Sequence, residues 1–352
     1  MFGMRQIAAS PKTPITRPVP RLPRGISLET AGRVRLFHLS FTMMLPSRNT
    51  IGLIGCGIWG RNILRDLKTL GYRVWVAESD PQAHAAIAGM ADGVVGNHRD
   101  LPNVDGLIVA TPASTHFAVV SEMLGRQVPI LCEKPLTTDA SSARQLVALA
   151  GERLFTGHIW CYHPGIEALA AISRTGELGP VKGLRTTRTN WASPRRDVDS
   201  VWNLAPHDIA LAQFILGSIP PPRYAQAEVL EGRCLGMVGI LGTDPWVVFE
   251  VSNRFREKRR EVRLHCRDGV AVLPDADSAH LEISRPGSGR SPELELRPIS
   301  VESALVRELR AFGDHLAGGP PPRTSGAEGL AVVETLETLR QLAGLPAGAG
   351  AQ

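Results

Sequence analysis

A strand-length apolar run at residues 50–54 opens into Gly55-Cys56-Gly57-Ile58-Trp59-Gly60, a G-x-G-x-x-G turn. Residues 58–70 follow with apolar side chains at helical spacing, Ile58, Leu64, Leu67 and Leu70, and residues 74–77 form a second strand-like run. Glu78 stands 18 residues beyond Gly60. Each part of this frame has a physical task. Gly55 makes the tight turn, Gly57 lets backbone N–H groups approach a pyrophosphate, and Gly60 lets helix and strand pack closely. The helix N-terminus faces the anion. Glu78 is placed to accept hydrogen bonds from ribose hydroxyls. The frame as a whole, more than the glycines alone, points to a dinucleotide.

From residue 50 to 157 the pattern repeats as strand, helix, strand, which requires a parallel sheet with helices on both faces. Ligands of such sheets lie beyond the carboxyl ends of the strands. That rule brings the glycine loop, Ala110-Thr111-Pro112 and Glu133-Lys134-Pro135 into one crevice. After Gly157 the grammar changes. Helices at 164–173 and 206–217 flank a strand at 181–191, and seven short strands follow between 224 and 298, with closing helices at 303–316 and 327–342. Consecutive short strands with polar turns predict a mostly antiparallel open sheet. The chain therefore divides into an extension (1–48), a dinucleotide-binding α/β domain (49–157), an α+β substrate domain (158–345) and a flexible tail (346–352).

The formal net charge of +5 misleads. Residues 1–49 hold eight Lys/Arg and one acid, which leaves 31 basic and 33 acidic residues of the chain's 39 and 34 for the remainder. The folded body is not basic, so nucleic-acid binding is not expected. For the extension, translation starting at Met43 or Met44 is the preferred reading, and an Arg-rich, acid-poor transit segment is the alternative. No stretch reaches the roughly 18 apolar residues of a membrane span. The five scattered cysteines make neither a disulfide framework nor a zinc spacing, which predicts a reduced, cytoplasmic setting. No metal cluster or nucleophile elbow is present in the pattern.

Four stretches, Ala110–His116 (A-T-P-A-S-T-H), Cys132–Leu136 (C-E-K-P-L), Gly157–Pro164 (G-H-I-W-C-Y-H-P) and Trp202–Ile209 (W-N-L-A-P-H-D-I), join the glycine loop and Glu328-Gly329-Leu330 in resembling the Gfo/Idh/MocA oxidoreductases over residues 50–342. The resemblance implies a Rossmann domain, an open-sheet domain with a substrate cleft, a tightly held NAD or NADP, and oxidation or reduction of sugars, cyclitols or sugar nucleotides. The stretch 157–217 looks most like the branch with sugar-nucleotide 3-dehydrogenases. Lys134 is then the group that polarises the substrate oxygen, beside the nicotinamide ribose, and the resemblance implies a cis Lys134–Pro135 bond. His207 is the general acid/base, since a histidine titrates near neutral pH.

Asn203 departs from the family pattern, where aspartate is common. It can hold a sugar hydroxyl but offers no charge, so it favours a base that starts neutral. Asp208 points to another helix face and supports structure. His158 and Tyr162 match family positions near the nicotinamide and the substrate. His116 either caps the next helix or lines the cofactor groove, together with Ile58, Trp59, Thr111, Pro112 and Glu133. His163 packs structurally. Arg195, in a charged loop with Arg196 and Asp197, either pairs with a substrate phosphate or carboxylate or is solvated. The run Arg256-Glu257-Lys258-Arg259-Arg260 reads as a solvated hairpin turn. Glu78 favours NAD over NADP by repelling a 2′-phosphate, although Ser79 leaves NADP open.

These residues describe an NAD(P)-dependent oxidoreductase acting on a small sugar-like substrate, as a homodimer or homotetramer joined through the C-terminal sheet. Two rivals stand beside it: a non-catalytic dinucleotide- or sugar-sensing protein, and an NADPH-dependent keto-sugar reductase.

Overall fold

The computed structural model describes residues 49–191, 197–289 and 291–348. The extension 1–48, Arg195 and Arg196, and the last four residues lie outside the described residues.

The first half alternates β1 (Thr50–Ile54), α1 (Ile58–Thr69), β2 (Arg73–Ala77), α2 (Pro81–Ile87), β3 (Gly93–Val95), β4 (Gly106–Val109), α3 (His116–Met123), β5 (Ile130–Glu133), α4 (Ala140–Ala150) and β6 (Leu154–Gly157). Its six strands lie parallel in the order β3-β2-β1-β4-β5-β6. The order reverses between β1 and β4, which opens a crevice at their carboxyl ends. Ile51, Leu53, Val74, Val76, Leu107 and Ile130 are fully buried, as continuous apolar strands covered on both faces must be.

The second half runs α5 (Pro164–Thr175), β7 (Val181–Trp191), α6 (Ser200–Leu216), β8 (Pro222–Leu230), β9 (Arg233–Gly242), β10 (Trp246–Ser252), β11 (Arg254–Cys266), β12 (Gly269–Leu273), β13 (His280–Arg285) and β14 (Glu293–Pro298). Its eight strands order as β14-β13-β12-β11-β7-β10-β9-β8, antiparallel except for the β7–β10 pair. The inner face carries Leu184, Val262, Leu264, Ala271 and Phe249, all buried beneath α5 and α6. The register puts Tyr224, Val238, Leu294 and Leu296 on the opposite face, where all four are exposed.

Two elements differ from the sequence reading. Helix α6 begins at Ser200, six residues before Pro206, because Asp199 caps it: its Oδ1 accepts from the Trp202 N–H at 3.0 Å. Pro206 sits inside the helix at the cost of one backbone hydrogen bond. The basic run 256–260 is no hairpin turn. It belongs to β11, which pairs with β7 through a bulge between Arg254 and Arg259.

The closing helices α7 (Ala304–Leu316) and α8 (Gly326–Leu342) return to the first half. Leu305, Leu309 and Phe312 of α7 share a core with Ile51, Leu53, Ile63 and Leu64. Ahead of α8, Thr324 Oγ1 donates to the Thr156 carbonyl at 2.5 Å, its own carbonyl accepts from Thr156 N–H at 2.8 Å, and Ser325 forms a bridge to Phe155. A capping box between Ser325 and Glu328 then starts the helix.

Candidate active site

The carboxyl ends of β1, β4 and β5 form one wall of a cleft of about 1190 Å³, and α6 with the inner face of the second sheet forms the other. The glycine loop supplies one end. Gly55 holds φ +89°, and a Cβ on Gly60 would stand 2.2 Å from the Gly55 carbonyl oxygen, so helix and loop touch there. A Cβ on Gly57 would meet nothing within 4 Å. The space above Gly57 is thus open to a ligand at the N-terminus of α1. The first residues of that helix, Ile58 and Trp59, line the cleft and stay exposed. Glu78, at the end of β2, accepts from Cys56 N–H at 2.7 Å through Oε2 and from Asp80 N–H at 3.0 Å through Oε1. It ties the glycine loop to the second strand and still faces the cleft. A loop of this geometry, an open position at its middle glycine and a facing carboxylate fit a dinucleotide.

Thr111 and Pro112 line the same cleft at the end of β4. His116 does not. It is fully buried, and its Nδ1 and Nε2 lie 2.9 and 3.0 Å from the carbonyls of Pro135 and Thr111. Neither open alternative, helix cap or groove lining, describes it: the imidazole staples the end of β4 to the Lys134–Pro135 turn, whose peptide bond is cis. Glu133 lines the cleft and accepts from the Trp59 indole N–H at 2.5 Å, which links β5 to α1.

Lys134, just past β5, and His207, on α6, both line the cleft. The Lys134 Nζ donates to the Asn203 carbonyl at 3.1 Å and to Asn203 Oδ1 at 3.4 Å. Asn203 and His207 lie four residues apart on α6, so one helix face presents both. His207 is 9% exposed, and its Nδ1 is buried with no hydrogen-bond partner among the described residues. Burial, then the charge of Lys134, then that of Arg188, hold its pKa well below the ordinary histidine value. The ring is therefore neutral at physiological pH and ready to accept a proton.

His158 and Tyr162 are buried behind this wall and do not line the cleft. Burial and the Lys134 charge push His158 down to about 3, and neither of its ring nitrogens has a hydrogen-bond partner among the described residues. The Tyr162 hydroxyl accepts from Arg323 N–H at 2.8 Å. His163 caps α5, its Nδ1 accepting from Gly165 N–H at 3.1 Å while Nε2 lies 2.9 Å from the Ala276 carbonyl.

Two cleft arginines escaped the sequence reading. Arg188 on β7 and Arg260 on β11 both line the cleft. Arg188 was legible in principle: it follows Leu184 at even spacing, so it lies on the buried face of its strand. Asp208, one residue past His207, meets it there, with Arg188 Nε donating to Oδ2 at 2.8 Å.

A doubly wound sheet with a phosphate-type loop at one end of its crevice, and a lysine and a neutral histidine at the other, defines a dinucleotide-dependent oxidoreductase. Residues 49–156 match the Gfo/Idh/MocA family model, described as an oxidoreductase family with an NAD-binding Rossmann fold. The chain is 26% identical over 310 residues to UDP-N-acetylglucosamine 3-dehydrogenase of Acidithiobacillus ferrooxidans, covering 80% of this chain and 93% of that protein. It is 28% identical over 309 residues to inositol 2-dehydrogenase of Ralstonia nicotianae, covering 80% and 90%. The solved structure of the A. ferrooxidans enzyme aligns with a TM-score of 0.71 at 25% identity, covering 84% of this chain and 97% of that one. An oxidoreductase from Agrobacterium radiobacter, solved with NAD+, L-tartaric acid and magnesium, shares the fold at a TM-score of 0.74 and 18% identity, covering 84% and 96%.

Proposed function

We propose that this chain interconverts a ring hydroxyl and its ketone on a sugar, cyclitol or sugar nucleotide. The observation that carries this reading is the convergence of Lys134, His207 and Asn203 on the cleft that the glycine loop opens. NAD, when bound, accepts or returns the hydride. Gly57, Ile58, Glu78, Thr111 and Pro112 would hold it.

The chain's own residues do the rest. Lys134 Nζ donates to the substrate oxygen and stabilises charge developing there. Asn203 positions that ammonium and can take a second ring hydroxyl. His207 Nε2 takes the hydroxyl proton as the hydride leaves the carbon, and returns it in the reverse direction. The same residues serve both directions. The names of the relatives, a sugar-nucleotide dehydrogenase and several inositol dehydrogenases, support the substrate class.

Two further parts of the reading rest on composition and surface. A reducing cytoplasm suits five cysteines that are all free. A homodimer or homotetramer suits the outer sheet face, where Tyr224, Val238, Leu294 and Leu296 expose apolar surface.

The test is to incubate the purified full chain with NAD+ and, in turn, UDP-N-acetylglucosamine and myo-inositol, and to follow NADH formation by absorbance. Turnover abolished by Lys134→Met supports the proposal. A chain that binds NAD+ but turns over no sugar or cyclitol in either direction would be a sensor and not an enzyme.

A further inference from the structure

Arg188 and Arg260 are direct cross-strand partners, Cα opposite Cα, on the inner face of the antiparallel β7–β11 pair. Like charges so placed repel and destabilise a sheet. Only Arg188 has an ion pair among the described residues, while Arg260 feels the carboxylates of Asp208 and Asp275 at longer range. Arg188 has Asp208 on its Nε and lies 4.4 Å from the Trp160 ring centroid, leaving both Nη groups without a protein acceptor among the described residues. Arg260 gives Nη1 to the carbonyls of Thr189 and Arg259 and Nη2 to Asn190 Oδ1, at 2.6, 2.7 and 2.9 Å. Those acceptors are neutral, and no ion pair of Arg260 exists among the described residues. Asn190 is itself braced by Asn253, and Asn253 by Ser200 at the start of α6, so the guanidinium is held in place. Burial, then the nearby Arg188, lower the Arg260 pKa to about 10.

Lys134 adds a third cation to the cleft lining. The carboxylates that line the cleft have other tasks: Glu78 and Glu133 hold the glycine-loop side, and Asp197 Oδ2 accepts from Ala113 N–H at 2.8 Å, beside the end of β4. A cavity with this charge distribution is built for an anion at the second-sheet wall. The two Nη groups of Arg188, with Nε and the second Nη2 hydrogen of Arg260, are donors left over from the bonds to Asp208, Thr189, Arg259 and Asn190, and guanidinium donors suit a carboxylate or a phosphate.

We infer that Arg188 and Arg260 form a paired-guanidinium seat for an anionic group, carboxylate or phosphate, attached to the ring that Lys134 and His207 act on. The inference rests on the oxidoreductase reading for its substrate and narrows it from any sugar to an acidic one. Binding of the anion also offsets two of the positive charges that depress His207.

The test uses the full chain loaded with NAD+. Affinities for glucose, glucuronate, glucose 1-phosphate and glucose 6-phosphate are measured by titration calorimetry, alongside NAD+ affinity on the same samples. At least one acidic probe should bind at least tenfold more tightly than glucose, with glucuronate reporting a carboxylate seat and the two phosphates a phosphate seat. Arg260→Gln should bring that preference to within threefold of unity without changing NAD+ affinity, and Arg260→Lys should retain part of it. Raising NaCl from about 50 to 500 mM should erode the preference in the unsubstituted chain, which needs no variant to fold. Acidic probes that bind no more tightly than glucose, including no binding at all, overturn the seat. So does a preference that survives both Arg260→Gln and high salt. A chain that takes up neither NAD+ nor NADH overturns the oxidoreductase reading instead, and the two failures are separable in one data set.

Discussion

His207 shows how a single environment sets the chemistry of a residue. Its ring is enclosed, beside Lys134, Arg188 and Arg260, and each of these disfavours the imidazolium. The kcat/KM for alcohol oxidation should therefore stay level from pH 8 down to 6.5, with its acid limb below that; an inflection at or above 6.5 would contradict the depressed pKa. Asn203→Asp places a carboxylate one helical turn away, stabilises the imidazolium, and should move the acid limb upward; an unchanged profile removes Asn203 from the account. Lys134→Met should lower kcat by about 100- to 1000-fold, the loss expected when a donor to a developing oxyanion is removed. The same depressed values act on stability. His158 and His207 stay neutral in the fold while an unfolded chain protonates its histidines below about pH 6.5, so the unfolded state binds more protons there. Stability is retained above that pH and falls below it, by up to about 1.4 kcal/mol per histidine per pH unit. The midpoint of thermal unfolding at pH 5.5 should be lower than at pH 7, and His158→Asn should narrow the gap.

At the scale of elements, the glycine loop separates fold from ligand. Gly60→Ala drives a methyl into the Gly55 carbonyl and should cost about 3 kcal/mol, the upper end of overpacking penalties, lowering the melting temperature without any cofactor present. Gly57→Ala adds its methyl to open space. It should leave the apo melting temperature within a degree or so of the parent and weaken NAD+ binding by about tenfold or more. Equal NAD+ affinity in Gly57→Ala would show that the dinucleotide does not lie over that residue. This loop was legible because its spacing is local, and the alternating strands and helices around it follow the same short-range logic. The first half of β11 was not, because a run of five charged residues carries no apolar period, although its second half, 261–266, was; the pairing of the first half comes from β7, some 70 residues away, and a bulge absorbs the mismatch. The start of α6 was hidden by Pro206, whose usual place is a helix's first turn, whereas Asp199 supplies the actual cap. His116 illustrates a third kind of miss: what decides its role is the pair of carbonyls that tertiary structure brings to it, and no pattern in A-T-P-A-S-T-H records them.

At the scale of the whole molecule, the sequence order of the halves is not their order in space. Helix α7 follows the last strand of the second sheet, yet its Leu305, Leu309 and Phe312 fill the core beneath β1 and α1, each worth about 1.5–3 kcal/mol of burial. Gly106 and Gly313 mark how tightly it sits, since a Cβ on either would collide with Leu316 or Tyr72. Buried side chains from both sheets also belong to one continuous cluster. Heating should therefore unfold the described body in one transition seen alike by far-UV and near-UV dichroism; two resolved transitions would show independent halves. The return of α7 also has a consequence for how the protein is made. A ribosome delivers the glycine loop early and the helix that covers its sheet some 250 residues later. Until then Ile51, Leu53, Ile63 and Leu64 have an open flank, and the nascent chain has every residue of the dinucleotide loop but no finished wall to hold it against. A fragment that stops at residue 300 should stay loosely packed and fail to retain NADH, and adding the missing fifty-odd residues, not a better loop, should be what restores it.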